Sequence, residues 1–255
     1  MFILETKALT RHFGGIKAIE DVSFKVRERS IVSIIGPNGA GKTTLFNCLT
    51  GITKPTRGSI KFMDKEISGL QPHEIANLGI SRTFQNIRLF SEMSVIENVM
   101  VGQHTRMRYD LFSAIFHNSN FLKKEQNILQ NAFEYLEFIG LQNFADMRAD
   151  SLPYGSQRRL EIARALAAEP AIILLDEPTA GMNPSETSEV MALIKNIQEL
   201  GKTIILIEHD MHLVMGISDR IIVLDHGVRI AEGKPEQVRN DPLVIEAYLG
   251  KEAIN

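Results

Sequence analysis

The chain has 255 residues, 44% hydrophobic and 23% charged, with a formal net charge of −3. That balance excludes disordered, collagen-like and disulfide-scaffold classes, and at about 150 residues per domain it allows one large domain or one domain with a subdomain. A lone Cys48, a start without a secretory pattern and strand-sized apolar runs predict a reducing, cytoplasmic setting with no membrane span.

Two runs that alternate apolar and polar residues, Phe2 to Leu9 and Lys17 to Val26, are broken at Gly14 and Gly15 and predict an antiparallel pair. Ile31 to Ile35 then reads as a short buried strand, Gly36-Pro37-Asn38-Gly39 as a loop, and Gly41 to Leu49 as a helix in which Cys48 is a small buried hydrophobe. Gly58 to Met63 predicts a further strand, and Pro72 opens a helix through Leu78. From about Asn86 to Ala168 the strand signal stops and helical periods take over, with Ser94 and Glu97 spaced as a capping box. The β/α rhythm then returns. Ala171 to Leu175 and Thr203 to Ile207 read as buried strands, Asn183-Pro184-x-Glu186 as a helix start, and Ile221 to Leu224 and Val228 to Ala231 as strands flanking an Asp225-His226-Gly227 turn. The expectation is an α/β core with a mostly parallel sheet, residues 1–85 and 169–255, interrupted by a helical insertion at 86–168.

Gly36-Pro37-Asn38-Gly39-Ala40-Gly41-Lys42-Thr43 fits G-x-x-x-x-G-K-[ST] between a buried strand and a helix, the context a phosphate loop requires. Glycines leave backbone N–H groups free to wrap phosphate oxygens, the helix end adds positive charge, Lys42 reaches the β and γ phosphates, and Thr43 is a magnesium ligand. These residues, with Thr44, are expected to hold the nucleotide. Ile172 to Leu175 then delivers Asp176 to a strand's carboxyl end, where it can hold the magnesium shell, and Glu177 is placed to orient or deprotonate an attacking water. That pairing argues for hydrolysis rather than transfer. No Lys-x-Asp occurs, so the guanine-reading pattern of switch GTPases is absent.

Across nearly its whole length the chain resembles the ATP-binding subunits of ABC transporters. The resemblance implies the ABC ATPase fold, a phosphate-loop core with an N-terminal antiparallel β subdomain and an inserted α-helical subdomain. It makes Phe13 the aromatic that stacks on adenine. Gln85, in Arg82-Thr-Phe-Gln-Asn86, becomes the glutamine that touches magnesium and the attacking water, and His209 the histidine that contacts γ-phosphate. Leu152-Pro-Tyr-Gly-Ser-Gln157 is similar to the family's Leu-Ser-Gly-Gly-Gln signature and is followed by its helix, while Ala180-Gly-Met-Asn183 matches the dimer-facing loop. The signature departs from the pattern: Pro153 offers neither a hydroxyl nor an N–H. The trans phosphate contact is therefore expected from Tyr154 and Gly155 amides and the Ser156 hydroxyl at a helix N-terminus.

The resemblance further implies two chains, a homodimer or related heterodimer, with ATP and Mg²⁺ held between one phosphate loop and the other signature. It implies permease subunits, indirectly a solute-binding protein, and a peripheral place on the cytoplasmic face of the cell membrane. Phe13-Gly-Gly-Ile-Lys-Ala, Gln103 to Lys124, Tyr154 to Ile162 and Gly233 to Gly250 are similar to the larger ATP-binding subunit of branched-chain amino acid importers. Branches serving urea or other amides, or lipopolysaccharide export, share much of this wording, and a soluble ABC-type scaffold is the reading from another class. With no long basic run, no nucleic-acid partner is expected. Arg88-Leu89-Phe90 and Met93 suit a groove for a partner helix, or pack the helical core. The segment from Gln103 to Gln126, with Arg106, Arg108, Lys123 and Lys124 among apolar residues, reads either as a membrane- or permease-facing lobe or as an amphipathic lobe with solvated charges.

Overall fold

The computed structural model describes residues 1–103 and 119–249, and the chain divides into two compact units, Met1–Arg82 with Ile172–Asn255 and Thr83–Ala171. Residues 104–118, the centre of the Gln103 to Gln126 segment, lie outside the described residues, as does Gly250.

The first unit holds both sheets. Strands β1 (Phe2–Phe13) and β2 (Ile16–Arg27) pair antiparallel as their alternation predicts, and β4 (Arg57–Phe62) and β5 (Lys65–Glu66) complete a four-stranded sheet in the order β2-β1-β4-β5. The second sheet has six strands in the order β10-β9-β3-β8-β7-β6. Its centre is β3 (Ile31–Ile35), β8 (Thr203–Ile207) and β7 (Ile172–Asp176), parallel neighbours buried at every position. Continuous β-branched and leucine runs are what a sheet covered on both faces needs. Strand β9 (Arg220–Asp225) joins parallel to β3, and β10 (Val228–Gly233) returns antiparallel through the Asp225-His226-Gly227 turn.

Two short strands carry no periodic signal in the sequence. One is β5; the other, β6 (Ile80–Arg82), lies parallel to β7 with Arg82 in register with Leu174. Helix α1 (Lys42–Leu49) follows β3, and helix α2 (Pro72–Leu78) stops at Gly79, whose φ of 108° turns the chain directly into β6.

The second unit is helical among its described residues, apart from an isolated bridge between Ser94 and Arg148. Its helices are α3 (Val95–Gln103), α4 (Ser119–Phe138) and α5 (Tyr154–Ala167). The capping box at α3 forms as the spacing predicts: the Ser94 amide donates to Glu97 Oε2 at 2.7 Å and the Glu97 amide to Ser94 Oγ at 3.3 Å. Buried Val95, Val99, Ile128, Ala132, Leu136, Leu160 and Ala163 make its core. Back in the first unit, α6 (Pro184–Glu199) starts at the expected cap, where Asn183 Oδ1 accepts from the Glu186 amide at 3.0 Å. It is followed by α7 (Met211–Ile217), α8 (Pro235–Arg239) and α9 (Pro242–Leu249). No described helix is long and apolar enough to cross a membrane.

Candidate nucleotide site

The loop after β3 is shaped by two glycines. A Cβ on Gly36 would lie 2.0 Å from the Leu224 carbonyl oxygen, and one on Gly41, at φ 99°, 2.4 Å from the Ala18 carbonyl oxygen. Only glycine lets the chain pass so close to neighbouring backbone. Gly41 is also the N-cap of α1, so no side chain caps this helix, and no acid lies in its first turn. An uncapped first turn presents unsatisfied amides to an anion. Inside the loop the buried Lys42 Nζ donates to the carbonyls of Gly36 at 2.7 Å and Pro37 at 3.0 Å. Burial lowers the Lys42 pKa, opposed by the nearby Glu177 and Asp176 carboxylates. Asn38 and Gly39 form the exposed tip, Ala40 is buried, Thr43 is exposed and Thr44 half-buried. Neighbouring Cys48 is buried, and desolvation pushes its thiol up to about 11, consistent with a packing role.

The acids close the site from β7. Asp176, 4% exposed, accepts at Oδ2 from Arg82 Nη2 at 2.7 Å. Glu177 follows with φ 49°, a left-handed conformation that costs a non-glycine residue about 1–3 kcal/mol. Its amide is anchored by donation to the Ile207 carbonyl at 2.9 Å, across on β8. Its Oε1 lies 2.9 Å from His209 Nε2, so the residue read as base and the residue read as phosphate contact form a hydrogen-bonded pair.

Glu208 is a member of this cluster that the sequence reading missed. Its buried carboxylate accepts from the Thr179 amide at 2.9 Å, the Thr179 hydroxyl at 2.6 Å and the His209 amide at 2.9 Å. It therefore braces the loop after Glu177 against the one carrying His209. A charge directly ending an apolar strand was its available signal, the same one that marks Asp176.

Phe13 ends β1 as an exposed ring with the Arg11 guanidinium carbon 4.4 Å from its centroid, so it is a surface aromatic rather than a core one. Near the loop, burial raises the Tyr248 phenol, whose hydroxyl faces the Gly36 N–H.

Gln85 and the signature residues belong to the second unit. Gln85 is exposed, and its backbone is gripped from α5: Arg158 donates to the Phe84 carbonyl at 2.7 Å, to the Gln85 carbonyl, and to the Tyr154 hydroxyl at 3.0 Å. Arg158 is in turn ion-paired at 3.3 Å with buried Glu161, whose pKa burial raises against the pull of the Arg88 amide and Arg158. Pro153 is the N-cap of α5, which places the Tyr154, Gly155 and Ser156 amides in the helix's first turn. The Ser156 hydroxyl accepts from Arg159 Nη2 at 3.2 Å.

A magnesium ion fits the donors present in the first unit. Asp176 and Thr43 offer hard oxygens, and no cluster of three or more His, Cys, Asp or Glu occurs among the described residues. Mg²⁺ is commonly held by one or two carboxylates together with substrate phosphates and water, rather than by an all-protein cage.

Residues 19–180 match the family model described as ABC transporter. The chain belongs to the ABC transporter family. As an ATP-binding cassette of that family it hydrolyses ATP coupled to transport. Residues 228–254 match a second model, branched-chain amino acid ATP-binding cassette transporter. The chain is 51% identical over 250 residues, 98% of each chain, to the high-affinity branched-chain amino acid transport ATP-binding protein LivG of Salmonella typhimurium. Among solved structures it is similar to the ADP conformation of an ABC transporter's ATP-binding cassette, with TM-score 0.86 and 35% identity, covering 98% of this chain and 100% of that one. It is also similar to a cassette in a dimeric post-hydrolysis state bound to ADP and phosphate, with TM-score 0.77 and 29% identity, covering 91% and 99%.

Proposed function

We propose that this cassette powers import of branched-chain amino acids, working as a pair of ATP-binding chains on the cytoplasmic face of a membrane beneath separate permeases. The solute follows from the LivG likeness and the match at residues 228–254, and the pairing from the dimeric relative. Magnesium held by Thr43 and Asp176 would neutralise charge on the β and γ phosphates. Phe13 stacks on adenine, and the amides from Gly36 to Thr44, with Lys42, bind the phosphates.

The observation that carries the hydrolytic reading is the 2.9 Å contact between Glu177 and His209 at the end of β7. Glu177 accepts a proton from water as the water oxygen bonds to the γ phosphorus, and the bond from that phosphorus to the bridging oxygen breaks, releasing ADP. His209 orients the Glu177 carboxylate and turns toward γ-phosphate when nucleotide is present. Tyr154, Gly155 and Ser156 of the second chain supply the remaining donors to the phosphate. The helical unit carries this signature and, through Gln85, reports phosphate occupancy to the permease.

Phe90 supplies the docking contact. It is 48% exposed, and its backbone is pinned on both sides by buried Asn98, which accepts from the Phe90 amide at 2.9 Å and donates to its carbonyl at 3.0 Å. The ring lies with its centroid 5.6 Å from the Arg164 guanidinium carbon, an apolar and basic pairing on the same surface. Met93 is half-buried.

Reconstitution with permeases in vesicles tests the reading. ATPase activity stimulated by a leucine-loaded binding protein supports it, whereas stimulation by urea or another amide alone transfers the cassette to a different branch.

A further inference from the structure

Arg82 is the last residue of the first unit and the end of the three-residue strand β6, in register with Leu174 and two residues short of Asp176 along β7. Its side chain and that of Asp176 are 6% and 5% exposed, and Nη2 meets Oδ2 at 2.7 Å. The other arm of the guanidinium reaches α1: Nη1 donates to Asn47 Oδ1 at 2.7 Å and to Thr50 Oγ1 at 3.3 Å, while the guanidinium carbon lies 5.4 Å from the Phe46 ring centroid. One planar group is thus fastened to β7, which carries Asp176, and to α1, which carries Thr43. Those two elements supply the oxygen donors read as magnesium ligands.

We propose that Arg82 is a positioning residue for the metal: it fixes one oxygen of Asp176, and with it the direction of the other, and sets the spacing between α1 and β7. A forked guanidinium can hold both elements at once in one geometry. A lysine ammonium is a point charge that cannot reproduce that double grip. Partners that orient a metal ligand without touching the metal are typically worth about 10- to 100-fold in metal affinity. The strength of the effect therefore belongs to metal binding, not to recognition of the adenine or of the phosphates by the loop.

This inference rests on the magnesium reading, and one experiment separates the two. Binding of a fluorescent ATP analogue is measured in EDTA and in Mg²⁺ for the wild type and Arg82→Met, and Mn²⁺ binding in the presence of nucleotide is followed by electron paramagnetic resonance. The expected result is a Mg²⁺-dependent gain in wild-type affinity that falls about 10-fold or more in Arg82→Met, with EDTA affinity kept within about twofold and Mn²⁺ affinity reduced in parallel. Arg82→Lys should recover part of the gain. An unchanged gain in Arg82→Met, or an equal loss in EDTA and Mg²⁺, overturns the positioning role. Absence of any gain in the wild type overturns the magnesium reading instead. Should Arg82→Met fail to melt cooperatively, Arg82→Lys and Asn47→Ala decide by the same pair of affinities: a selective loss of the gain supports the role, and an unchanged gain rejects it.

Discussion

Each of the two units contains a buried arginine–carboxylate pair, and the two pairs hold different kinds of object. In the first, Arg82 grips Asp176, the proposed magnesium ligand, and joins β6 to a strand 94 residues further on. In the second, Arg158 grips backbone carbonyls at Phe84 and Gln85, and its carboxylate partner Glu161 sits one helical turn away on α5. The first pair would constrain the proposed metal site. The second shapes a loop. Removing one partner of a buried pair leaves an uncompensated charge in either case, so the difference between the units shows in what else is lost.

The sharpest separation comes from the reaction itself. Glu177→Gln should lower kcat by about 10² to 10⁴, roughly 3 to 5 kcal/mol of barrier, while ATP binding and thermal stability stay near wild type, because the change is isosteric. Steady-state hydrolysis beside nucleotide titration checks this; wild-type turnover would remove Glu177 from its role as base.

Arg158→Met tests the second unit. It strands Glu161, and denaturant unfolding should show a loss of about 3 to 5 kcal/mol. The pH dependence has a definite sign. Burial raises the Glu161 pKa above its ordinary 4.5, so the folded state holds its proton to higher pH than the unfolded chain. That contribution to stability is present below 4.5 and is lost as pH rises through the folded value. Without Arg158 the folded value moves higher still, so the deficit of the variant should be smaller at about pH 5.5 than at about pH 7.5. A deficit independent of pH would mean that Glu161 is not the stranded charge.

Cys48 gives the first unit its own probe. With its thiol pushed up to about 11 from 9.0, the folded protein should carry about a hundredfold less thiolate near pH 8 than an unperturbed thiol, and label correspondingly slowly. Labelling should stay slow when Arg158→Met is present under native conditions. Fast labelling there would show that the two units do not loosen separately.

Much of the first unit is written contiguously. The phosphate loop, Asp176 and Glu177 follow uninterrupted buried strands, so apolar runs and adjacent motif residues suffice to place them, and β3, β7 and β8 form where those runs predict. What the sequence does not display is pairing over distance. Strand β6 has three residues, too few for a period, and exists because Gly79 turns the chain alongside β7. Arg82 reads as the start of a glutamine motif until that pairing brings it to Asp176. His209 has no spacing signal of its own and is legible only through resemblance, yet it lies against Glu177. Arg158 stands in a run of charged and apolar residues on α5, where nothing local says that it faces inward. Pro153 was legible as a departure from the family pattern, and its consequence is a helix that begins at Tyr154 with its first amides unclaimed by a side-chain cap.

The proposed dimer has the site finished by a second chain, whose signature amides would act in trans. Groups supplied in trans to phosphoryl transfer are worth about 10³ to 10⁵ in rate, so a lone chain should be a poor hydrolase. The direct measurement is ATPase rate against protein concentration for the isolated chain, across the range where it passes from monomer to dimer. Specific activity should climb with concentration, with the rate approaching a quadratic dependence. A strictly linear rate from the lowest concentrations, with a chain that stays monomeric in ATP, would contradict it.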